Sequence, residues 1–312
     1  MKKQLLELLI CPHCLPSEYS LVADIRKEDN DDIETGSLHC PHCTAQFPIT
    51  EGVALLDPNS ADSQQPTNKY EHMEVVSSYL WSHYGELLGD PHASQAYATW
   101  AELINPQGGI ALDAGGAVGR FTFEMSNRCD FAIGIDTSHA FIQAARQLMR
   151  ENSLAVRLKD EGLLHREVTI HLPDAWHSDK VDFVVANALA LPFRKKSIAV
   201  FSSLNLVDKV PSPLKHLQEM NRVTRDRNAQ FLLSDPFSWS TEAAPVDQWL
   251  GGKPEGPYAG KGLTNVAALL AAGQNDLSPA WQVGEPGSVW WKIRTHTNHY
   301  ELIRSCFVHA CR

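Results

Sequence analysis

The sequence has no long hydrophobic segment. None of the apolar runs in its 312 residues approaches the about 20 residues that a membrane-spanning helix needs. The first residues, MKKQLLELLICPHC, begin like a secretion signal. Their apolar stretch, however, is short, contains Glu7 and runs into a cysteine pair instead of a cleavage site of small residues. We therefore expect a cytoplasmic protein without a membrane anchor.

Basic residues are also in short supply. Lysine and arginine number 27 against 37 aspartates and glutamates, which gives a net charge of −10. Non-specific nucleic-acid binding depends on many cationic contacts to phosphate, so nucleic acid is not an expected partner. The arginines of one basic cluster, Arg222, Arg225 and Arg227, are interpreted as solvated surface charges.

Cysteine is scarce too, and its seven copies cannot all pair within the chain because their number is odd. Four of them occur in two identical Cys-Pro-His-Cys motifs, at residues 11–14 and 40–43. Two such loops separated by a hairpin supply the four thiolates that a tetrahedral Zn²⁺ site needs. The predicted ligands of this structural zinc ion are Cys11, Cys14, Cys40 and Cys43. A redox dithiol and a pair of disulfides are the alternatives, and His13 and His42 are expected to be exposed.

The segments around these motifs, LLELLICPHC and LHCPHCTAQFPITEGVALLDP, resemble a family of small zinc ribbons that includes the activator subunit of tRNA methyltransferases. The resemblance covers residues 4–57 and implies a structural ribbon that supports or contacts a methyltransferase. Between the motifs, an alternating stretch at residues 19–25 predicts a strand, and the acidic run at 28–37 predicts a turn. We place a zinc ribbon at residues 1–57, through which a protein partner could bind.

A glycine turn at residues 115–119 predicts a nucleotide-binding unit. The apolar strand before it ends on Asp113, a helix follows it, and the next apolar strand ends on Asp136. Strand, glycine turn, helix, strand and acid are the parts of a βαβ nucleotide site. Asp136 stands 21 positions after Gly115, close to the spacing of about 20 expected for the acid that binds ribose hydroxyls.

The spacing Asp113-x-Gly115-x-Ala117-x-Gly119 indicates which nucleotide derivative binds. A dinucleotide site admits a pyrophosphate at its second glycine, and the anion of Asp113 would repel that group. The same anion suits a sulfonium and an amino group. The pattern resembles the first motif of the class I S-adenosylmethionine (SAM) methyltransferases, with Ala117 in place of the middle glycine. The resemblance implies SAM as the cofactor.

The stretch before this unit has two parts. Residues 57–69 are polar and contain proline, which is the composition of a linker. Helical patterns follow at residues 70–88 and 94–104, the first with an aromatic side. In methyltransferases a helix at this point often covers the cofactor, although ordinary packing onto the sheet explains the pattern equally well. We assign residues 58–108 to a linker and a helical cap.

Strands and helices alternate after the glycine turn. We predict an α/β fold for residues 109–312, with a doubly wound, mostly parallel, seven-stranded Rossmann-like sheet. An extra strand at residues 166–172 is an insertion, and residues 289–293 and 300–310 are expected to close the sheet as antiparallel strands.

The ligand crevice of such a sheet lies where the parallel strands end. Asn187 follows the third strand, where its side-chain oxygen is expected to accept a hydrogen bond from the adenine amino group. The predicted cofactor-binding residues are Asp113, Gly115, Gly116, Gly119, Asp136, Thr137, Asn187, Ala188 and Asn205.

A second resemblance concerns the substrate. The segments LDAGGAVGRFTFEM, GIDTSHAFIQAA, NLVDKVPSP, SDPFSWSTEAAPVDQWLGG and WKIRTHTNHYELI look like the methyltransferase domain of ovothiol synthase. The resemblance spans residues 109–312 and implies methylation of an imidazole nitrogen, as in 4-mercaptohistidine. Gly116 replaces the family's usual cysteine and the zinc ribbon is foreign to it. We therefore expect a small imidazole or amino-acid-like substrate.

Four further residues suit a small zwitterionic substrate. Arg294 can clamp a carboxylate, and Asp208 can accept a hydrogen bond from an ammonium group or an imidazole N–H. Trp239 and Trp249 can stack on a flat ring. Surface exposure of the arginine and core packing of the tryptophans are the competing interpretations.

No catalytic residue is predicted, because methyl transfer from SAM needs alignment of the reactants more than acid–base groups. Two other functions remain open. One is the methylation of rRNA or tRNA bases, since zinc-ribbon rRNA guanine methyltransferases join similar modules. The other is a non-catalytic role as a SAM-binding partner protein.

Overall fold

A small antiparallel sheet forms the N-terminal part of the computed structural model, which describes residues 1–58 and 69–312. Its strands, paired in sequence order, are β1 (Val22–Asp29), β2 (Asp32–His39), β3 (Gln46–Thr50) and β4 (Val53–Ala54). The acidic run at 28–37 is mostly strand, because pairing of β1 with β2 continues to Asp29 and Asp32. The predicted turn is therefore wrong in extent. We call residues 1–57 the ribbon, with the boundary that the sequence predicts.

Ten further strands follow. They are β5 (Ile110–Ala114), β6 (Phe131–Asp136), β7 (Ser153–Lys159), β8 (His165–His171), β9 (Val181–Val185), β10 (Ile198–Leu204), β11 (Gln230–Asp235), β12 (Gln282–Val283), β13 (Gly287–His296) and β14 (His299–Cys311). β7 and β8 form a separate antiparallel hairpin, of which the sequence analysis predicts only the second strand. The other eight form one sheet, in the order β12-β14-β11-β10-β5-β6-β9 with β13 paired to β14.

The core of this sheet is parallel, and the α/β fold class is confirmed. β5, β6, β9, β10 and β11 run in parallel, and β14 is antiparallel to β11 and to β13. These strands are the seven that the sequence predicts, and the two-residue β12 is an eighth. The carboxyl ends of the parallel strands therefore meet at one edge of the sheet.

Helices cover both faces of the sheet. They are α1 (Met73–Tyr84), α2 (Ala96–Glu102), α3 (Arg120–Met125), α4 (His139–Glu151), α5 (Pro213–Val223) and α6 (Gly262–Ala272). Successive residues of a strand point to opposite faces of the sheet. Four of the five residues of β5 are buried, so both faces of this strand are covered. Ala111 belongs to a buried apolar cluster that includes residues of α1, α2, α3 and α4, whereas Leu112 belongs to a second cluster with residues of α5, α6 and the ribbon.

The two helices predicted before the sheet are α1 and α2, each shorter than expected. Most of the predicted linker, residues 59–68, lies outside the described residues. In the described part of the chain, no helix has the length and apolar character to cross a membrane. The cytoplasmic location stays a prediction.

The ribbon packs against the outer edge of β9. Leu55 pairs with Val185 in parallel register, and the Leu56 N–H donates to the Val185 carbonyl oxygen at 2.8 Å. This pairing satisfies backbone groups that an edge strand leaves open. Leu5 and Leu9 of the ribbon belong to the same buried apolar cluster as the core of the sheet.

Two arginines tie the ribbon to the rest of the chain. Arg146 on α4 is 1% exposed and forms ion pairs with Asp32 of the ribbon, at 2.6 Å, and with Asp182 of β9. Arg222 on α5 forms an ion pair with Glu18 of the ribbon at 2.9 Å. The interpretation of Arg222 as a solvated surface charge is therefore wrong, because its guanidinium is held between α5 and the ribbon.

Candidate functional site

A cavity of 690 Å³ opens at the carboxyl ends of the parallel strands. This volume lies within the range of about 300–1,000 Å³ that small-molecule sites occupy. Six of the nine predicted cofactor-binding residues line it, namely Gly115, Asp136, Thr137, Asn187, Ala188 and Asn205. The other three, Asp113, Gly116 and Gly119, lie in or beneath the glycine turn.

The glycine turn is held in backbone conformations that most residues avoid. φ is +73° at Gly115, +45° at Ala117 and +89° at Gly119, all in the left-handed region. A Cβ on Gly119 would stand 2.7 Å from the ring of a buried phenylalanine. One on Gly116 would stand 2.8 Å from a carboxylate oxygen of Asp113. The missing Cβ atoms therefore let the turn pack closely while its backbone borders the cavity.

Asp113 lies beneath the turn. It is 3% exposed, and its carboxylate accepts hydrogen bonds from the Ser202 hydroxyl at 2.8 Å and the Thr122 hydroxyl at 3.0 Å. Burial raises the pKa of Asp113 to about 6, although both hydroxyls oppose the shift. These contacts tie β5 to β10 and α3. The direct cofactor contact expected of Asp113 stays a prediction.

Asp136 ends β6 and lines the cavity. Its two carboxylate oxygens accept hydrogen bonds from the backbone N–H groups of Ala117, at 3.1 Å, and Ser138, at 2.9 Å. Each oxygen keeps a lone pair that a ribose hydroxyl could use. The site therefore fits a nucleoside. Burial raises the pKa of Asp136 to about 6, against the effect of the N–H groups.

This raised pKa predicts a pH-dependent affinity for S-adenosylhomocysteine (SAH). Because hydroxyl groups donate best to the ionised carboxylate, SAH binding should be strongest above the Asp136 pKa of about 6. Below that value, calorimetric titration should show the Kd rising by up to about tenfold per pH unit. Asp136→Asn should bind weakly and with little pH dependence. A flat Kd for the wild type between pH 7.5 and 5 would contradict the ribose role.

Two asparagines follow neighbouring strand ends. The Asn187 side-chain oxygen accepts from the Leu189 N–H at 2.9 Å, and its amide group donates to Asp57 at 3.4 Å. The Asn205 oxygen accepts from the Ser305 hydroxyl at 2.5 Å. An amide oxygen has a second lone pair, so the adenine contact of Asn187 stays a prediction. Asp57 is the last residue of the ribbon, which therefore contacts a residue of the cavity wall.

Five aromatic rings line the same cavity. Three of them come from different elements and lie close together, namely Tyr79 of α1, Phe141 of α4 and Trp291 of β13. The Tyr79 ring centroid lies 4.8 Å from that of Phe141 and 6.4 Å from that of Trp291. Of the two sequence interpretations of α1, its part in this wall favours the one in which the helix covers the cofactor.

His83 and Tyr97 also line the cavity, and the sequence analysis does not single them out. The Tyr97 hydroxyl lies 2.6 Å from Nε2 of His83. Burial, with a smaller contribution from Arg120, lowers the pKa of His83 well below its usual value. Burial raises the pKa of Tyr97. The two residues belong to α1 and α2, so no local spacing in the sequence signals their contact.

None of the four predicted substrate residues lines this cavity. Asp208 is 1% exposed, and its carboxylate accepts from the Ser238 N–H at 2.7 Å. Trp239 and Trp249 stack on each other with ring centroids 6.2 Å apart. Arg294 lines a different cavity. The substrate roles of these residues stay predictions.

The four predicted zinc ligands lie together in the ribbon. All four Sγ atoms lie within 4.8 Å of one another, with 3.5 Å between Cys11 and Cys43 and 3.8 Å between Cys14 and Cys40. Zn–S bonds of about 2.3 Å in a tetrahedral site place sulfurs about 3.8 Å apart. The cluster therefore fits one zinc ion, and these distances are too long for disulfides. The histidines between the cysteines are exposed, as predicted.

Two parts of the chain match known families. Residues 112–229 match the family described as "Methyltransferase domain", and residues 2–52 match the family described as "Trm112p-like protein". No curated protein matches the chain. The first match includes the whole glycine turn and the cavity residues at the ends of β6, β9 and β10. The second includes all four clustered cysteines.

Solved structures resemble the chain at low sequence identity. The YcgJ protein of Bacillus subtilis is 15% identical with a TM-score of 0.43, and the match covers 72% of this chain and 97% of that one. A SAM-dependent methyltransferase of Aquifex aeolicus is 15% identical with a TM-score of 0.41, and the match covers 72% of this chain and 96% of that one. A chain from a complex between the Haloferax volcanii Trm112 methyltransferase activator and a putative methyltransferase is 14% identical with a TM-score of 0.45. That match covers 79% of this chain and 99% of that one.

Proposed function

We propose that this chain, a SAM-dependent methyltransferase that carries a Trm112-like ribbon, methylates a nitrogen atom of a small imidazole or amino-acid-like metabolite. The supporting observation is the cavity of 690 Å³, in which six of the predicted SAM residues share one space with the rings of five aromatic residues. Aromatic rings hold flat or cationic nitrogen groups by stacking and by cation–π contacts. The resemblance of residues 109–312 to the methyltransferase domain of ovothiol synthase supports the same class, with 4-mercaptohistidine as the first candidate.

Residues at the strand ends would hold the cofactor. Asp136 would accept hydrogen bonds from the ribose hydroxyls, and Asn187 would accept one from the adenine amino group. Gly115 and Ala117 would border the cofactor with backbone alone or a single methyl group. When bound, SAM supplies an electrophilic methyl group. The task of the chain is then to align the acceptor nitrogen, which can account for a large share of a rate enhancement.

The pair of His83 and Tyr97 is the candidate acceptor for the proton that N-methylation releases. Because burial lowers the His83 pKa, its ring is neutral at pH 7 and has a lone pair on one nitrogen. As the substrate N–H gives its proton to the Tyr97 oxygen, the Tyr97 hydroxyl proton passes to Nε2 of His83. The 2.6 Å contact between the two groups supports this direct transfer.

Replacing Tyr97 with phenylalanine tests this role. The variant keeps the ring and loses the hydroxyl, so kcat should fall by at least about 100-fold, as expected for the loss of a general base. The Kd for SAH should stay within about threefold, because the predicted cofactor residues are untouched. The assay measures SAH formation with a panel of imidazoles and amino acids that includes 4-mercaptohistidine and histidine.

Tyr300→Phe is the matched control, since this tyrosine lies outside the cavity lining. It should keep the wild-type kcat. Unchanged turnover in Tyr97→Phe would remove the proton-acceptor role while leaving the substrate class standing. Tight SAH binding without methylated product from any small molecule of the panel would contradict the substrate class.

The match of residues 2–52 to the Trm112p-like family favours a second candidate, in which the ribbon serves a partner protein. Its end at Leu55 and Leu56 already pairs with β9, and Glu18 and Asp32 already pair with arginines of the same chain. A partner would therefore bind the remaining surface of the ribbon. SAH binding without turnover on any small molecule or RNA would favour this candidate, and salt-sensitive methylation of tRNA or rRNA would favour base methylation.

A further inference from the structure

A second cavity, of 540 Å³, lies beside the proposed cofactor cavity and shares Ser78 and Thr295 with it. It is bounded by α1, α4, the hairpin of β7 and β8, and the end of β13. Much of its wall is apolar, with contributions from Val76, Leu80, Ala140, Ala144, Leu154 and Val156. Water in such a space gains few hydrogen bonds, so the walls favour an apolar occupant.

Arg294 of β13 lines this second cavity, and its guanidinium has no anionic partner among the described residues. The residue is 3% exposed, and Nη2 donates to the Thr297 hydroxyl at 2.6 Å. Its Nε has no hydrogen-bond partner, and no carboxylate of the described residues forms an ion pair with the guanidinium. The Thr297 hydroxyl, which accepts from Arg294, donates in turn to Asp160, so this carboxylate contacts the guanidinium only indirectly.

This arrangement leaves a fixed positive charge inside the protein. Arginine stays protonated in proteins, and a buried guanidinium without an anion is unfavourable. Two other charged residues of the wall, Lys159 and Glu74, lie 3.6 Å apart and largely balance each other. Arg157 and His165 complete the ionisable groups of the wall. The wall therefore keeps an excess of positive charge.

We propose that the second cavity binds a small organic monocarboxylate with an apolar body. A guanidinium accommodates a carboxylate through two parallel hydrogen bonds, and one buried arginine matches a single negative charge. The apolar walls match a hydrocarbon chain or ring, whose transfer from water favours binding. The site is distinct from the one proposed for SAM and the methyl acceptor, and it does not depend on the proposed function.

Calorimetric titration of the full chain with decanoate and with decan-1-ol tests this site. The two probes share the apolar body, and only decanoate carries the charge. Decanoate should bind with one-to-one stoichiometry, and decan-1-ol at least about tenfold more weakly, as expected for the loss of a charge-assisted hydrogen bond. Arg294→Met should weaken decanoate binding by about 10–100-fold.

Two further variants control for folding and for non-specific binding. Ala144→Leu fills part of the cavity without changing Arg294, and it should abolish decanoate binding. Arg166→Met removes a cation of β8 that is 54% exposed and lies outside the cavity lining, and it should change the decanoate Kd by less than about threefold. SAH titration of each variant reports separately on the SAM site and therefore on folding. If Arg294→Met fails to bind SAH, the decanoate result for Ala144→Leu tests the proposal in its place. Absent decanoate binding, equal binding of both probes, or unchanged binding in both Arg294→Met and Ala144→Leu would overturn the proposal.

Discussion

Replacing Cys40 with serine is expected to release the zinc ion and to lower the Tm of the whole chain by more than about 10 °C. Structural zinc contributes about 10–16 kcal/mol of apparent binding free energy in small zinc modules, and three thiolates hold the ion far less well than four. A loss of 1 kcal/mol lowers Tm by about 2–4 °C in chains of 150–250 residues. Cys40 is 1% exposed, so a water molecule cannot easily replace its sulfur.

The effect should extend beyond the ribbon, because the ribbon covers the edge of β9 and shares a buried cluster with the core of the sheet. Zinc content, thermal unfolding and SAH binding should therefore change together in Cys40→Ser. Cys306→Ser is the matched control, since this half-buried cysteine lies outside the cluster, and it should keep zinc and Tm. Full zinc content in Cys40→Ser would contradict the assignment of Cys40 as a ligand.

The sequence predicts the parts of the site that follow from strand order. Asp136, Asn187 and Asn205 each stand where an apolar strand ends, and the carboxyl ends of parallel strands meet at one edge of a sheet. All three residues line the same cavity. The alternation of Leu154, Val156 and Leu158 also indicates β7, a strand that is absent from the elements predicted above.

The residues that depend on how helices and loops sit against the sheet are beyond such reasoning. The aromatic side of α1 predicts that this helix is buried, but not that Tyr79 and His83 line the cavity. That orientation is set by contacts with β13, including a hydrogen bond of 2.5 Å from the Ser82 hydroxyl to the Lys292 carbonyl oxygen. Arg294 is similar, because no local pattern shows that a charged residue of β13 is 3% exposed beside a second cavity.

Arg146 shows the same limit in the contact between the ribbon and the sheet. On α4 it follows the buried Ala145, and no local pattern in the sequence shows that the arginine is buried as well. Its ribbon partner Asp32 is 114 residues away in the chain. The same guanidinium pairs with Asp182, which is 0% exposed, and the Met1 ammonium pairs with Asp32 at 2.7 Å. Two cations therefore balance two acids where the ribbon meets the sheet.

Replacing Arg146 with methionine is therefore expected to destabilise the chain by about 3–5 kcal/mol, the cost of removing one partner from a buried ion pair. The apolar stem remains, so the loss reports on the charge. Asp182 would lose its ion-pair partner, whereas Asp32 would keep the Met1 ammonium at 2.7 Å. Urea unfolding followed by tryptophan fluorescence measures the change as a lower midpoint with the same slope.

Arg150→Met, one helical turn further along α4, is the matched control. The Arg150 side chain is 45% exposed and lies 3.9 Å from Glu34 of the ribbon, so its loss should be within about 1 kcal/mol. Adding Asp182→Asn to Arg146→Met should recover most of the lost stability. Asp32 then keeps the Met1 ammonium as its partner at 2.7 Å, and no buried charge is left uncompensated. If the single and double variants are equally unstable, Arg146 acts through packing, and the buried charges do not hold the ribbon to the sheet.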